Sequence, residues 1–370
     1  MRIAFLVPSP AGSIDPSLGP ASGGCLYDER MAEGLSDRGN DVELLWTAHA
    51  PGQAEVDRLV AHLRAEPWDA VLEDELGFGT YAEVNARLRE RGGSAALVGL
   101  IHVPTALLEP ARTSADAERR FLSTLDAAVY VSQTVRRDTE AVLGVRVPSH
   151  VVSPGADPPA IRATPRRPSA STRPLQLISV GHLSPHKGYL ELVDVLTRLA
   201  RDASTPEWSA SWIGDLDLAP TYRDAVLARL HRASLVDRVR LPGRLPACEV
   251  AGALARADLF VTASHYESHG FAVTEALAAG LPVVGWTAGG LWEYLRPGRD
   301  SLQLRWGAVD WFAEALRGLL EDGGLRAALA QGAMESARAL APWPRRAEQM
   351  EAALEAILAT RREGPRHAPG

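Results

Sequence analysis

The 370-residue chain reads as two consecutive α/β halves, each built as a doubly wound parallel sheet. Three observations predict this. Short apolar runs alternate with stretches of helical spacing along most of the chain, which is the pattern of βαβ units. A proline-rich interval at 154–174 interrupts that alternation near its middle. The alternation then resumes and closes on one long helical stretch.

In the first half, the runs at 3–7, 41–46, 70–72, 95–102, 127–131 and 150–152 predict strands, and the intervening 26–38 and 81–91 have helical spacing. Pro154, Pro158, Pro159, Pro165, Pro168 and Pro174 then stand among arginine, serine and alanine, a composition that builds a linker rather than a regular element. In the second half, strands are expected at 175–180, 209–213, 239–241, 259–261 and 282–284, with helices at 189–201, 222–233, 248–255 and 272–279. A last helix follows Pro344 to about residue 359, and the tail 361–370 is expected to fray. No repeat of solenoid period is present. Two such halves are expected to face each other across a cleft. Open α/β sheets bind ligands beyond the carboxyl ends of their strands, so the loops at those ends are where chemistry is sought.

Composition narrows the function. The formal net charge is −7 and the pI about 5.8, which argues against nucleic acid as the partner. Cys25 and Cys248 make neither a disulfide framework nor a zinc site. The opening MRIAFLVPSP reads as a first strand rather than a signal peptide, and no apolar window reaches the ~18 residues of a spanning helix. A cytoplasmic protein is expected. Among 39 lysines and arginines only Lys187 is lysine. Arginine presents a planar fork and lysine a compact charge on a slim stem, so a tight phosphate pocket is one place where the exchange fails.

Four stretches carry candidate chemistry. In ADLFVTASHYESHGFAVTEALAAGLPVVGW (257–286) a strand ends near Ala263, Glu267 lies in the following loop, and Gly270 leads into a helix holding Glu275. Backbone N–H groups from Gly270 to Val273 would form an anion site at that helix start. The two carboxylates would repel phosphate, so hydroxyl groups of a ribose or hexose are their expected partners. In LISVGHLSPHKGYLELVDVL (177–196) Lys187 sits between a strand's carboxyl end and a helix, positioned for the same diphosphate. In PASGGCLYDERMAEGLSDRGNDVEL (20–44) Gly23 and Gly24 open a helix after the first strand and permit close backbone approach, without the dinucleotide Gly-x-Gly-x-x-Gly pattern. In ALVGLIHVP (96–104) His102 ends a strand and suits a hydrogen bond to a sugar hydroxyl.

Together these stretches resemble glycosyltransferase family 4, the retaining GT-B enzymes, over nearly the whole chain. The family's Glu-x7-Glu pattern is matched by Glu267 and Glu275 in ESHGFAVTE. VGHLSPHKG resembles its strand-Gly-Arg-loop-Lys-Gly motif, IGDLD (213–217) and LPGRL (241–245) its later strand-end loops, and SPGAD (153–157) its hinge entry. The resemblance implies a GT-B fold with an N-terminal acceptor domain at 1–155, a donor domain at 156–342, and a helix at 343–360 crossing back to the first domain. It implies transfer, with retention, from a UDP- or GDP-linked sugar to a small-molecule or glycan acceptor, with no cofactor and no metal. Glu275 would bind the ribose. Glu267 would contact the transferred sugar, helped by amides near Gly270 and Phe271. Lys187 would neutralise the departing diphosphate, Gly23 and Gly24 would form the donor loop, His102 would touch the sugar, and Arg244 and Leu245 would lie beside the base. His182 stands where the family usually has arginine.

Arg112, Arg119 and Arg120 are the candidates for an anionic acceptor. Asp215 and Asp217 match a metal-holding Asp-x-Asp pattern but are read as loop and helix-capping acids, and His265 and His269 around Glu267 as simply polar. A sugar-nucleotide epimerase and a catalytically silent nucleotide-sugar-binding protein remain the alternatives on such a fold.

Overall fold

The structure, a computed structural model, describes residues 1–9, 22–47, 52–90, 93–108, 114–157, 173–286 and 289–363. The chain forms two compact units: the first runs to Gly155 and takes back the chain from Pro342, and the second spans Ala156–Ala341.

The first unit holds β1 (Arg2–Pro8), β2 (Asp41–Thr47), β3 (Ala70–Asp74), β4 (Ala96–Ile101), β5 (Ala127–Tyr130) and β6 (Ser149–Val151). They form one sheet in the order β2-β1-β3-β4-β5-β6, with every neighbouring pair parallel. β3, β4 and β5 are buried at every residue, as strands covered on both faces must be. β3 runs two residues beyond its expected end, because Glu73 and Asp74 continue the strand although both are acidic and buried. Local chemistry sets the helix ends. Ser22 Oγ accepts the Cys25 N–H at the start of Gly23–Asp37, and Ser132 Oγ accepts the Val135 N–H at the start of Gln133–Leu143.

The final helix, Trp343–Glu363, packs on the Gly23–Asp37 helix of this same unit. Ala347, Met350, Ala353, Leu354 and Ile357 are buried at helical spacing. Glu351 accepts from Arg38 and, at 2.7 Å, from Asn40 Nδ2. The expected return of the last helix to the N-terminal domain is therefore present, and the helix extends past residue 360; residues 364–370 lie outside the described residues.

The second unit holds β7 (Leu175–Val180), β8 (Trp208–Ile213), β9 (Val239–Gly243), β10 (Leu259–Thr262), β11 (Val283–Trp286) and β12 (Ser301–Leu304). Their order is β12-β11-β10-β7-β8-β9, again all parallel. Side chains alternate between two cores. Leu177, Val261, Val284 and Trp212 enter one, and Ile178, Phe260, Val283 and Ile213 the other. That alternation is what helices on both faces of a sheet require. β12 was not expected, because SLQL offers only two apolar residues. Residues 158–172 of the expected linker lie outside the described residues.

Candidate active site

β7 is the strand from which the second sheet grows in both directions, with β8 on one side and β10 on the other. Such a switch in strand order opens a crevice beyond the carboxyl ends of β7 and β10. Lys187 and Glu267 lie in the loops leaving those two ends. After β7 the chain makes a tight turn at Pro185–Lys187, and Gly188 feeds it into the helix Tyr189–Arg201. Only glycine serves at 188: its φ is +67°, and a Cβ there would stand 2.0 Å from the Ala263 carbonyl oxygen. This close approach carries Lys187 against the end of β10. The His265 N–H donates to the His186 carbonyl at 2.7 Å and ties the loops together.

Lys187 Nζ donates to Glu267 Oε1 at 2.7 Å, and Ser264 Oγ donates to the same oxygen at 2.7 Å. The side chains are only 21% and 13% exposed, so water screens the pair weakly. Burial alone would raise the Glu267 carboxyl, but the Lys187 charge and hydrogen bond, with Ser264, hold it below the ordinary carboxylate range. The Gly290 N–H donates to the Glu267 carbonyl at 2.7 Å and fixes its backbone. Ser179, Thr262 and Ser264 line a small recess beside Lys187. His186 is pushed down to about 4 by burial and then by Lys187, so it is neutral at neutral pH. His182 Nδ1 accepts the Asp215 N–H at 3.4 Å, which assigns the proton of a neutral ring to Nε2. The permanent positive charge of this loop is therefore that of Lys187.

Gly270, at φ +78°, caps the helix Phe271–Ala278, and no side chain caps it. The Tyr294 hydroxyl donates to the His269 carbonyl at 2.7 Å and pins the approach. One expectation is corrected here. The Val273 N–H is not open to an anion, because it donates to the Gly270 carbonyl at 2.9 Å. Glu275 keeps exposed surface yet stands amid dense surrounding protein. That desolvation, with Asp157 nearby, pushes its carboxyl up to about 7. Arg244 and Leu245 follow β9 and are half-buried.

Gly23, Gly24 and His102 belong to the first unit. There β1 lies between β2 and β3, so the switch point falls beyond the ends of β1 and β3. His102 is buried just after β4, with Tyr27 edge-on at 5.3 Å. A Cβ on Gly24 would make only ordinary contact, 3.6 Å from His102 Cδ2, so the two stretches meet there. His102 Nε2 is 3.0 Å from Asp28 Oδ1, and the His102 and Val103 N–H groups donate to the Glu75 carboxylate at 2.8 Å each. Asp28, Asp74 and His102 bring ligand atoms within 4.8 Å of one another, close enough for a cation to bridge. No such group among the described residues includes His265 or His269.

Of the acceptor candidates, Arg112 lies outside the described residues. Arg119 Nε donates to the Leu143 carbonyl at 2.9 Å and its guanidinium also pairs with Asp116, whereas Arg120 is exposed. Asp215 Oδ1 accepts the Asp217 N–H at 2.8 Å, and Asp217 pairs with Arg223. The helix that follows is capped by Ala219 without a side-chain bond, so these acids shape the loop and do not cap the helix. Sequence reasoning missed Ser264, Asp28, Asp74 and Glu75. The available signal was VLEDEL at 71–76, three consecutive acids closing an apolar run.

This architecture, two parallel six-stranded doubly wound sheets in one chain, is that of the GT-B glycosyltransferases. Residues 161–336 match the family model described as glycosyl transferases group 1. The chain is similar to a glycogen synthase of Mycobacterium tuberculosis, 32% identical over 42% of this chain and 36% of that protein, so the match spans about a third of the relative. It is 25% identical to a D-inositol 3-phosphate glycosyltransferase of Corynebacterium glutamicum over 95% of each chain. In structure it is similar to HepE of Anabaena in complex with UDP and glucose, with a TM-score of 0.79, 20% identity, and coverage of 96% of this chain and 100% of that one. No helix among the described residues is long and apolar enough to cross a membrane.

Proposed function

We propose that the chain is a retaining, metal-independent glycosyltransferase of family 4 that moves a sugar from a UDP- or GDP-linked donor to a small-molecule or glycan acceptor. The observation that carries this reading is the Lys187–Glu267 pair at the switch point of the second sheet. A nucleoside diphosphate leaves readily once its charge is neutralised, so the protein's main task is electrostatic. Lys187 meets that charge as the glycosidic bond breaks. Both donors to Glu267 use Oε1, and Oε2 is the oxygen left to accept a sugar hydroxyl. Glu275 accepts the ribose hydroxyls, Gly270 and Phe271 offer amides, and Arg244 and Leu245 flank the base. By the resemblance, Gly23, Gly24 and His102 of the first unit contact the transferred sugar.

The reading of Asp215 and Asp217 as structural rather than metal-holding is supported by their engagement with the Asp217 N–H and with Arg223 of the following helix. Retention is supported by the resemblance; the acceptor attacks from the leaving-group side. The likeness to HepE with UDP and glucose makes UDP-glucose the first donor to try.

The test is Lys187→Ala. Release of nucleoside diphosphate should fall by about 100- to 1000-fold, as when an oxyanion-hole donor is lost, with the protein still folded. Full turnover in that variant would remove the donor-site assignment. A new sugar nucleotide formed from donor alone would favour an epimerase instead.

A further inference from the structure

The loop that carries Glu267 also carries His265, whose side chain the roles above leave unused. Its Nε2 lies 3.1 Å from Oε1 of Glu191, on the helix that follows Lys187. Its backbone N–H donates to the His186 carbonyl at 2.7 Å, so the residue is anchored to the donor loops. Trp306 meets the imidazole edge-on, with ring centroids 5.6 Å apart. Trp306 belongs to the segment that leaves β12, and the fully buried Trp286 of β11 backs it at 6.0 Å. Yet 57% of Trp306 stays exposed. Glu191 and His265 beside it are half-buried.

An indole held by two other rings and still more than half open is a fixed apolar surface, and the carboxylate and imidazole beside it are planar hydrogen-bonding groups. The His265 hydrogen bond holds the Glu191 carboxyl below its ordinary range, so it is ionised at neutral pH and accepts hydroxyl hydrogens. A pyranose ring carries the matching pair of features, a face of C–H groups and a rim of hydroxyls. Topology separates this place from the base. Arg244 and Leu245 follow β9, and the order β12-β11-β10-β7-β8-β9 puts the ends of β9 and β12 five strand spacings apart, roughly 24 Å. The ends of β10 and β12 are two spacings apart, roughly 10 Å, which is the reach of a disaccharide rather than of a single ring.

We propose that Trp306, His265 and Glu191 form a subsite for one pyranose ring of a glycan acceptor, its C–H face on the indole and its hydroxyls on the imidazole and carboxylate. The proposal rests on the reading of the chain as a glycosyltransferase, and of the acceptor classes named there it selects the glycan over the small molecule. The ring held is remote from the bond being made. The subsite adds to glycan binding and leaves the chemistry to Lys187 and Glu267. A second copy of the chain or a lipid surface would also cover an exposed tryptophan, but neither calls for the Glu191–His265 pair beside it.

The probes are neutral tetrasaccharides of glucose, galactose and mannose, added without nucleotide to the full chain labelled with 15N-tryptophan and followed by NMR. At least one of them should move the Trp306 indole N–H signal saturably, that signal being assigned by its absence in Trp306→Ala. The signal of Trp46, an exposed tryptophan of the first unit, should stay in place. By calorimetry, Trp306→Ala should weaken that tetrasaccharide about tenfold or more, as truncating an anchoring tryptophan does. Glu191→Gln should weaken it about fivefold, the loss expected when a charged acceptor becomes neutral. Lys187→Ala should bind it as wild type does. No shift with any tetrasaccharide, an equal shift of Trp46, or wild-type affinity in Trp306→Ala would overturn the subsite. So would dimerisation, or binding to phosphatidylglycerol vesicles, that is lost in Trp306→Ala. Because the titration needs neither donor nor turnover, failure of the subsite is distinguishable from failure of the donor-site reading, which the turnover of Lys187→Ala measures.

Discussion

Replacing Lys187 by methionine removes one charge from the centre of the donor loop and keeps most of its volume. The Nζ to Oε1 distance is 2.7 Å, with 21% and 13% of the side chains exposed. A hydrogen bond to a charged group contributes about 1.5–3 kcal/mol. Removing one partner of a fully buried pair costs about 3–5 kcal/mol, and the residual exposure here moves the expectation below that. A loss of about 2 kcal/mol corresponds to a melting point roughly 4–8 °C lower for a unit of this size. The pH dependence supplies the sharper test. Glu267 is held below its ordinary range, so its contribution is complete above the unfolded carboxylate value of about 4.3 and is lost as pH falls through the folded value. Without Lys187, burial raises the carboxyl, so in the variant the ionised group costs stability at pH 7 and that cost is relieved as it protonates on acidification. The gap between wild type and variant should be full at pH 7 and close on acidification. Thermal melts from pH 7 to pH 4 measure it, and adding Glu267→Gln should recover part of the loss. Equal melting points at pH 7, or a gap that widens as pH falls, would refute the pairing argument.

Gly188→Ala combines a left-handed backbone with a Cβ 2.0 Å from a carbonyl, and should cost about 2–4 kcal/mol in urea unfolding. Gly24→Ala meets nothing closer than 3.6 Å, so its stability should stay within about 0.5 kcal/mol while donor KM rises; an unchanged KM would remove Gly24 from the donor loop. Glu275 must be ionised to accept ribose hydroxyls. Its carboxyl is raised to about 7, so donor affinity should improve as pH rises through that value, and Glu275→Gln should flatten the profile. Chelator should leave the rate unchanged; activity restored by added metal would return Asp215 and Asp217 to the site.

The doubly wound halves were legible because covered strands are long apolar runs, and β7 and the helix after it lie where their periodicity places them. β12 escaped because a short edge strand with one covered face has little apolar signal. Lys187 and Glu267 were expected in the loops beyond two strand ends, and they lie in the loops after β7 and β10. Their pairing was not expected. Glu267 was read as facing a ligand alone, whereas one of its oxygens is taken by Lys187 and Ser264. Contacts between side chains 80 residues apart depend on how closely two loops approach, here set by Gly188 against Ala263. The acids around His102 were hidden for another reason: a buried carboxylate inside a strand contradicts the pattern by which strands are found, and β3 was cut short at that point.

The last helix gives the chain an order of assembly. Arg38 and Asn40 find Glu351 only across 313 and 311 residues. At a synthesis rate of about 5–20 residues per second, the Gly23–Asp37 helix waits roughly 15–60 s on the ribosome for the segment that covers it. The second unit, contiguous in the chain, can close during that interval. The N-terminal half, although made first, is completed last. A stop codon ahead of the Trp343–Glu363 helix would therefore injure the unit whose strands come first in the chain.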